Sequence, residues 1–146
     1  MTLLFETPSR SIPITKPMVW DAYRKVKSNK GGAGVDEEIL LDFDAHLSKN
    51  LYKLWNRLSS GSYFPQPVKA VEIPKSNGGT RTLGIPTIAD RIAQEVVKSY
   101  IEPRLEAVFV PSSYGYRPHK SAHNAIEQVR TNVRDYGWVI DMDIKS

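Results

Sequence analysis

The sequence Trp138-Val-Ile-Asp-Met-Asp-Ile-Lys-Ser146 places two carboxylates within a short apolar run. Apart from Asp141 and Asp143 the run is mostly apolar and β-branched, and Gly137 bounds it upstream, which predicts a strand buried on both faces. Side chains of a strand alternate between its faces, so both carboxylates would point to the same face. Two like charges on a buried face repel each other and lose hydration, and they persist mainly where a cation or basic side chain compensates them. Since no partner strand follows, we expect the chain to be a piece of a longer protein.

The composition is that of an ordinary globular domain, with 146 residues, 25% charged and 40% hydrophobic. The net charge of +4 weakly favours an anionic partner, but the basic residues are spread out and a solvated mixed surface explains them equally well. The absence of cysteine excludes disulfides and cysteine-ligated metals. No apolar run approaches the roughly 18–20 residues of a membrane span, and Met1–Arg10 does not resemble a signal peptide, so we expect a cytoplasmic protein with no membrane partner.

Residues 1–17 contain three prolines, which predicts an extended lead-in. Apolar residues then recur at helical spacing from Met18 to about Asn29, which predicts a helix. The glycines of Gly31–Gly34 break this helix and form a flexible loop, which is either a linker or, with nearby lysines, a contact for phosphate. A second helical stripe from Asp36 to Ser59 predicts one long helix capped by Asp36, or two helices bent near residues 45–48.

The segment Tyr63–Pro86 predicts a β-hairpin, because two runs with strand character flank the turn sequence Ser-Asn-Gly-Gly at 76–79. Lys75 and Arg81 stand on either side of this turn. Two such cations are often only solvated, and on an exposed edge they discourage aggregation. The alternative is a β-finger whose two cations close over a triphosphate, and the spacing alone does not decide between the two.

The segment from Thr87 to about Ile101 predicts a helix with Thr87 as its N-cap and Asp90 as a capping-box acid, and Pro103 is expected to disturb or end it. Ser121 then caps a last helix. Its apolar residues are expected to face the core, namely Ala122, Ala125, Ile126, Val129 and Val133.

The loop between these two helices, Phe109–Pro118, carries two tyrosines around a glycine and then an arginine. This combination is typical of a surface that stacks bases and contacts phosphate, although a packed loop explains it nearly as well.

Four blocks of the sequence resemble the N-terminal half of bacterial group II intron reverse transcriptases, or maturases, over nearly the whole chain from about residue 20. They are GVDEE, LYKLWNRLSSGSYFPQPVKAVEIPKSNGGTRTLGIPTIADRIAQEVV, SSYGYRPHKSAHNAIEQVR and WVIDMDIKS. The second block is the most specific, because strand, turn, strand and helix follow one another with matching residue types. In the first block Glu37 stands where that family often has a glycine, so the turn geometry there stays open.

The resemblance implies an α+β fold that corresponds to the fingers subdomain of a right-hand polymerase, with helices and a β-hairpin finger at 18–137. The first strand of the palm would follow at 138–146. The aromatic steric gate and the tyrosine–alanine–aspartate–aspartate strand of that family are missing, and they would lie beyond Ser146.

The resemblance also implies residue roles in the first palm strand. Asp143 matches the catalytic, metal-binding aspartate of the family and Asp141 does not, while Ile144 would contribute mainly backbone near the metal and nucleotide. Nucleotidyl transfer of this kind uses two Mg²⁺ ions held by carboxylates from two adjacent strands, and Mg²⁺ prefers oxygen ligands. We therefore expect these 146 residues alone to be inactive.

By the same resemblance, Lys75 and Arg81 would bind the β- and γ-phosphates of the incoming dNTP, and a DNA primer would supply the 3′-hydroxyl. Other residues are candidates for contact with template RNA or intron RNA. They are Gly31, Gly32, Gly34, Arg91, Tyr114, Tyr116, Arg117 and Lys120.

The leading hypothesis is therefore that the chain is the N-terminal part of an RNA-directed DNA polymerase. A second hypothesis is an RNA-binding maturase module that assists intron splicing without polymerising. A third is a CRISPR-associated or otherwise domesticated reverse transcriptase.

Overall fold

The computed structural model of the protein describes residues 13–76 and 78–144, which form an α+β structure with five helices and one two-stranded antiparallel hairpin. In chain order the elements are α1 (Lys16–Ser28), α2 (Leu40–Ala45), α3 (Leu47–Ser59), β1 (Lys69–Pro74), β2 (Thr80–Ile85), α4 (Ile88–Glu106) and α5 (Ala122–Asp135). The chain divides into a first compact unit that ends at Glu102 and a second that begins at Pro103. Within the described ranges, no helix is long and apolar enough to cross a membrane.

The core of the first unit is centred on α4. Ile88, Ile92 and Val96 recur every four residues, so they lie on one face of the helix, and all three are fully buried. The remaining core residues are Ile14, Val19, Ala22, Tyr23, Val26, Phe43, Leu54 and, on α4 itself, Ala93. The apolar face predicted for the first helix is confirmed.

The first helix begins slightly earlier than predicted. The hydroxyl of Thr15 accepts a hydrogen bond from the backbone N–H of Met18 at 3.4 Å, so Thr15 caps α1 and the helix starts at Lys16. Pro17 fits this first turn because its missing N–H would have no helical partner there. Residues 1–12 of the predicted lead-in lie outside the described residues.

The region 36–59 forms two helices, which confirms the two-helix alternative, and the break lies at His46. The prediction of Asp36 as a helix cap is wrong. The Asp36 carboxylate instead accepts a hydrogen bond from the N–H of Glu38 at 3.3 Å, which closes a local turn, and α2 begins only at Leu40. Glu37 has a φ of +58°, the left-handed conformation that favours glycine, which settles the turn geometry at this position.

The predicted hairpin is confirmed. β1 and β2 pair antiparallel in one register, from Lys69 opposite Ile85 to Pro74 opposite Thr80. Most of its side chains are exposed, and Leu83 is 48% accessible although it is apolar. An isolated two-stranded hairpin is at best marginally stable. Since this hairpin buries little surface, its orientation depends on the contacts made at its two ends.

The hairpin turn uses the two glycines of its sequence. Gly78 and Gly79 have φ values of +82° and +80°, which other residues adopt only with strain. The N–H of Lys75 donates to the carbonyl oxygen of Gly79 at 3.0 Å and closes the loop. Asn77 lies outside the described residues.

The helix after the hairpin starts as predicted. The hydroxyl of Thr87 accepts from the N–H of Asp90 at 3.1 Å, which satisfies one of the free donors of the first turn of α4. Its predicted end near Ile101 is wrong, because α4 continues to Glu106 with Pro103 inside it. A proline removes one backbone hydrogen bond of the helix, and the residues after it still complete the last turn.

In the second unit, the prediction that Ser121 caps the last helix, α5, is confirmed. The prediction that the apolar residues of this helix face a core is wrong. The N–H of Asn124 donates to the hydroxyl of Ser121 at 3.2 Å, and the N–H of Ser121 donates to the Asn124 side chain at 3.0 Å. The predicted core-facing residues Ile126, Val129 and Val133 are more than half exposed. The apolar stripe therefore exists, but no described element of the second unit covers it.

The predicted strand at 138–146 does not form in its described part, residues 138–144. Trp138 is 92% exposed and Ile144 95% exposed, so the run is not buried either. A strand satisfies its backbone groups only by pairing with a neighbouring strand. No described residue of the second unit forms a strand that could pair with it. Lys145 and Ser146 lie outside the described residues.

Candidate functional site

The hairpin presents two cations near its turn. Lys75 follows the end of β1, and Arg81 lies in β2 opposite Ile73. Both side chains are exposed, and neither makes an ion pair or side-chain hydrogen bond within the described residues. Exposed cations without protein partners keep their donors available for an anionic ligand.

The base of the hairpin is held by a buried carboxylate. Asp90 is 3% exposed and accepts hydrogen bonds from the hydroxyl of Tyr63, from the N–H of Gln66 at 3.2 Å and from the hydroxyl of Thr87 at 2.8 Å. Burial, together with the hydrogen bond to Asp90, raises the pKa of Tyr63 well above its ordinary value. The capping pattern at 87–90 predicted only the contact with Thr87. Tyr63 and Gln66 lie 24 residues or more from Asp90 in sequence, and no local pattern indicates them.

The glycine loop 31–34 packs against the beginning of α4. The guanidinium of Arg91 donates to the carbonyl oxygen of Gly32 at 2.6 Å. A Cβ at Gly31 would lie 2.0 Å from Nη1 of Arg91, and a Cβ at Gly34 would lie 2.7 Å from the backbone of Thr87. Gly31 and Gly34 thus allow the loop to approach α4 closely. The structure therefore brings Arg91 together with the predicted glycines. Nε of Arg91 is buried without a hydrogen-bond partner among the described atoms.

In the second unit, Arg117 holds the loop that precedes α5. Its guanidinium makes a bidentate ion pair with Glu106, with Nη2 at 2.9 Å, and donates through Nη1 to the carbonyl oxygens of Val110 and Ser113 at 2.8 and 2.9 Å. It also lies 5.2 Å from the centre of the Phe109 ring. Most donors of Arg117 are therefore engaged inside the protein, which gives this residue a structural role beside its predicted contact with RNA.

Lys120 and the two tyrosines of this loop differ in their surroundings. Nζ of Lys120 donates to the carbonyl oxygen of Pro111 at 2.8 Å and lies 4.7 Å from the centre of the half-buried Tyr114 ring. Tyr116, by contrast, is fully exposed and has a φ of +55°, uncommon for a residue other than glycine. Of the predicted RNA-contacting residues in this loop, Tyr116 is the one whose side chain stands wholly in solvent.

We expect the ion pair of Arg117 to be visible in the titration of Glu106. The hydrogen bonds from Arg117 hold the pKa of Glu106 below its ordinary value of 4.5. A carboxyl group with a lowered pKa contributes stability at higher pH, and this contribution is lost as the pH falls through the folded-state pKa. In Arg117→Ala the Glu106 pKa should therefore rise towards its ordinary value, as measured by an NMR pH titration.

The matched control is Arg130→Ala, which removes an exposed pair with Glu127 at 3.5 Å and should leave the Glu106 titration unchanged. An unchanged Glu106 pKa in Arg117→Ala would contradict the structural role of Arg117.

Asp141 and Asp143 are exposed in the described residues 138–144, in the second unit, whereas the hairpin cations belong to the first. Carboxylate oxygens are the ligands that Mg²⁺ prefers. However, within 13–76 and 78–144 no three His, Asp or Glu residues are grouped so that they could hold a metal ion. Asp143 thus has the right chemistry for one ligand, and the described residues do not complete a metal site around it.

Known proteins give an independent comparison. No protein-family profile matches the chain. It is 41% identical over 141 residues to Protein YkfC of Escherichia coli, covering 91% of this chain and 37% of that protein. It is 36% identical over 126 residues to the group II intron-encoded protein LtrA of Lactococcus lactis, covering 85% of this chain and 21% of LtrA. Nuclear intron maturase 1 of Arabidopsis thaliana is 36% identical over 59 residues, which are 40% of this chain and 8% of the maturase.

The chain thus spans well under half the length of these relatives. The similarity to LtrA nevertheless extends over 85% of the chain. These relatives and the four sequence blocks agree, and the chain belongs to the group II intron reverse transcriptase/maturase family.

Proposed function

We propose that this chain is the part of an RNA-directed DNA polymerase that binds the incoming dNTP and the template RNA, corresponding to the fingers subdomain and the start of the palm. The observation that carries the proposal is the hairpin. It combines two exposed cations near its turn, which have no side-chain partner among residues 13–76 and 78–144, with a buried anchor at its base. Lys75 and Arg81 bind the β- and γ-phosphates of the nucleotide. A pair of exposed cations on a hairpin suits this role, since charged groups form strong hydrogen bonds to phosphate.

The proposal also assigns a role to residues of the second unit, taken by itself. Asp143 supplies one carboxylate for Mg²⁺, and Ile144 contributes mainly its backbone near the metal and the nucleotide. Bound Mg²⁺ would neutralise phosphate charge and activate the 3′-hydroxyl of a DNA primer. Other carboxylates are needed to complete that site, so residues 1–146 alone should not polymerise.

The proposal is tested by substituting the hairpin cations in a polymerase-active protein that carries this chain. Lys75→Ala or Arg81→Ala should raise the KM for dNTP about tenfold to a hundredfold, as expected when a hydrogen bond to a charged phosphate is lost. If the contact tightens only as charge develops in the transition state, kcat falls instead. Lys69→Ala is the matched control, because Lys69 is an exposed cation at the other end of the same strand. Unchanged kinetics in both hairpin variants would refute the phosphate contact.

A second candidate function, recognition of intron RNA during splicing, is favoured by the exposed Tyr116 and by relatives that are named intron maturases. The predicted RNA contacts would then serve a structured RNA, namely the glycine loop with Arg91 and the loop that carries Tyr114, Tyr116, Arg117 and Lys120. An exposed aromatic ring stacks on unpaired bases, and the surrounding cations bind phosphate.

RNA binding by this chain should be mainly electrostatic, so log affinity should fall linearly with log salt, with a slope close to one unit per phosphate contact. Tyr116→Ala should weaken binding about tenfold, since stacking contributes roughly 1–3 kcal/mol per base, and should leave the salt slope unchanged. Tyr136→Ala, also exposed but outside the loop, is the control. Binding that does not depend on salt, or no binding to structured RNA at low salt, would contradict this candidate function.

A further inference from the structure

We propose that Asp90 is the positioning residue of the hairpin, because it ties both ends of the hairpin to the first turn of α4 and thereby fixes the direction in which Lys75 and Arg81 point. The importance of that direction rests on the proposed function of these cations. The tie itself rests on the geometry around Asp90 alone.

The segment that enters the hairpin is bound to Asp90 twice. Gln66 precedes β1 by three residues, and its N–H donates to Oδ2 of Asp90 at 3.2 Å. Tyr63 lies three residues further upstream, and its hydroxyl donates to the other oxygen, Oδ1. One carboxylate thus restrains both a backbone atom and a side chain of the entering segment.

The segment that leaves the hairpin is bound to the same carboxylate. Thr87 follows the end of β2 by two residues, is 1% exposed, and donates its hydroxyl to Oδ2 of Asp90 at 2.8 Å. Its oxygen also accepts from the N–H of Asp90 at 3.1 Å. The two ends of the hairpin therefore meet at one side chain.

This arrangement exceeds what a helix cap requires. A capping box needs only the exchange between Thr87 and Asp90, whereas Tyr63 and Gln66 add two long-range donors to a buried carboxylate. A buried carboxylate is costly unless such donors compensate it. The turn that carries Asp90 is itself fixed, because Ile88 and Ile92 on either side of it are fully buried. The hairpin, whose own side chains are largely exposed, has no comparable restraint elsewhere among the described residues.

The glycine loop reaches the same turn. Gly34 lies against the backbone of Thr87, and Arg91, the next residue after Asp90, donates to Gly32. The hairpin and the glycine loop thus share an anchor, which sets their positions relative to each other within the first unit.

The test measures the orientation of the hairpin directly. The chain contains no cysteine, so spin labels can be attached to Cys introduced at the exposed residues Ser76 near the turn and Lys49 on α3. The distance distribution between them is recorded by double electron–electron resonance in the full chain. Tyr63→Phe and Thr87→Val each delete one hydroxyl and keep the shape of the side chain. Together they should broaden the distribution about twofold, since local order depends on such restraints.

Two further variants separate positioning from folding. Tyr52→Phe, which removes an exposed hydroxyl on α3, is the matched control and should leave the distribution unchanged. Asp90→Ala removes all three acceptor contacts and should broaden the distribution most, whereas Asp90→Asn keeps an acceptor oxygen and should restore part of the order. Circular dichroism at the measuring temperature establishes that each variant is folded. An unchanged distribution in the folded double variant Tyr63→Phe/Thr87→Val would overturn the proposal.

The same double variant distinguishes this inference from the proposed function. In a polymerase-active protein that carries the chain, it should raise the KM for dNTP without a change at either cation. A broadened distribution with unchanged KM would support the tie at Asp90 and overturn the phosphate-binding role of Lys75 and Arg81.

Discussion

Asp143→Asn is expected to abolish primer extension by a polymerase-active protein that carries this chain. In the proposed function, the substitution replaces an anionic oxygen ligand of Mg²⁺ by a neutral amide of the same shape, and a catalytic Mg²⁺ contributes several kcal/mol to transition-state stabilisation. At about 1.4 kcal/mol per tenfold change in rate, this loss corresponds to on the order of a thousandfold or more. Because the residue is exposed in the described structure, thermal unfolding should be unaffected.

Asp141→Asn is the matched control, since Asp141 is a neighbouring exposed carboxylate to which the proposed function assigns no metal. Its effect on primer extension should be much smaller. The measurement is single-nucleotide extension at saturating dNTP and Mg²⁺, with circular dichroism to establish folding. Full loss of activity in Asp141→Asn, with Asp143→Asn still active, would show that the two carboxylates have been assigned in the wrong order.

The second large effect is expected from Gly34→Ala. A Cβ at this position would lie 2.7 Å from both Cα and N of Thr87 and 3.0 Å from the carbonyl carbon of Pro86. These are backbone atoms and cannot turn aside, so either the glycine loop or the first turn of α4 must move. Overpacking of this kind costs about 1–3 kcal/mol of unfolding free energy. The melting temperature should fall by roughly 2–8 °C per kcal/mol, as measured by calorimetry.

Gly32→Ala is the matched control within the same loop. Apart from Gly32 and its two chain neighbours, no described residue has an atom within 4 Å of the Cβ that it would add. Its unfolding free energy should change by no more than about 0.5 kcal/mol. Equal melting temperatures for the two variants would mean that the close packing of Gly34 on Thr87 is absent in solution.

Several elements could be predicted from sequence because their causes are local. The hairpin follows from the turn sequence at 76–79, which supplies glycines for the left-handed conformations that the turn needs. The starts of α4 and α5 follow from Thr87 and Ser121, whose hydroxyls each accept from a backbone N–H three residues later. The apolar faces of α1 and α4 follow from helical spacing.

The errors in the prediction arose where a local pattern depends on a distant partner. The run Trp138–Ile144 has the residues of a buried strand, but the described part of the second unit provides no neighbouring strand for its backbone. The apolar stripe of α5 has helical spacing and is nevertheless exposed, since spacing does not determine whether a second element covers it. The sequence also did not indicate the contacts of Arg117 with Glu106 and with two backbone carbonyls, because they depend on how the loop closes, whereas its contact with RNA stays a prediction.

The sequence by itself determined the family, the hairpin with Lys75 and Arg81 beside its turn, and the capping of α4. The family follows from matching motifs, the hairpin from its turn residues, and the cap from a hydrogen bond that spans only three residues. None of these causes depends on the rest of the fold. Only the tertiary structure decided the surroundings of Asp90 and of the glycine loop. The contacts of Asp90 with Gln66 and Tyr63 span 24 and 27 residues, and the contact of Arg91 with Gly32 spans 59. Contacts over such separations form only when burial of the core brings distant segments together, and one sequence contains no local pattern that identifies them.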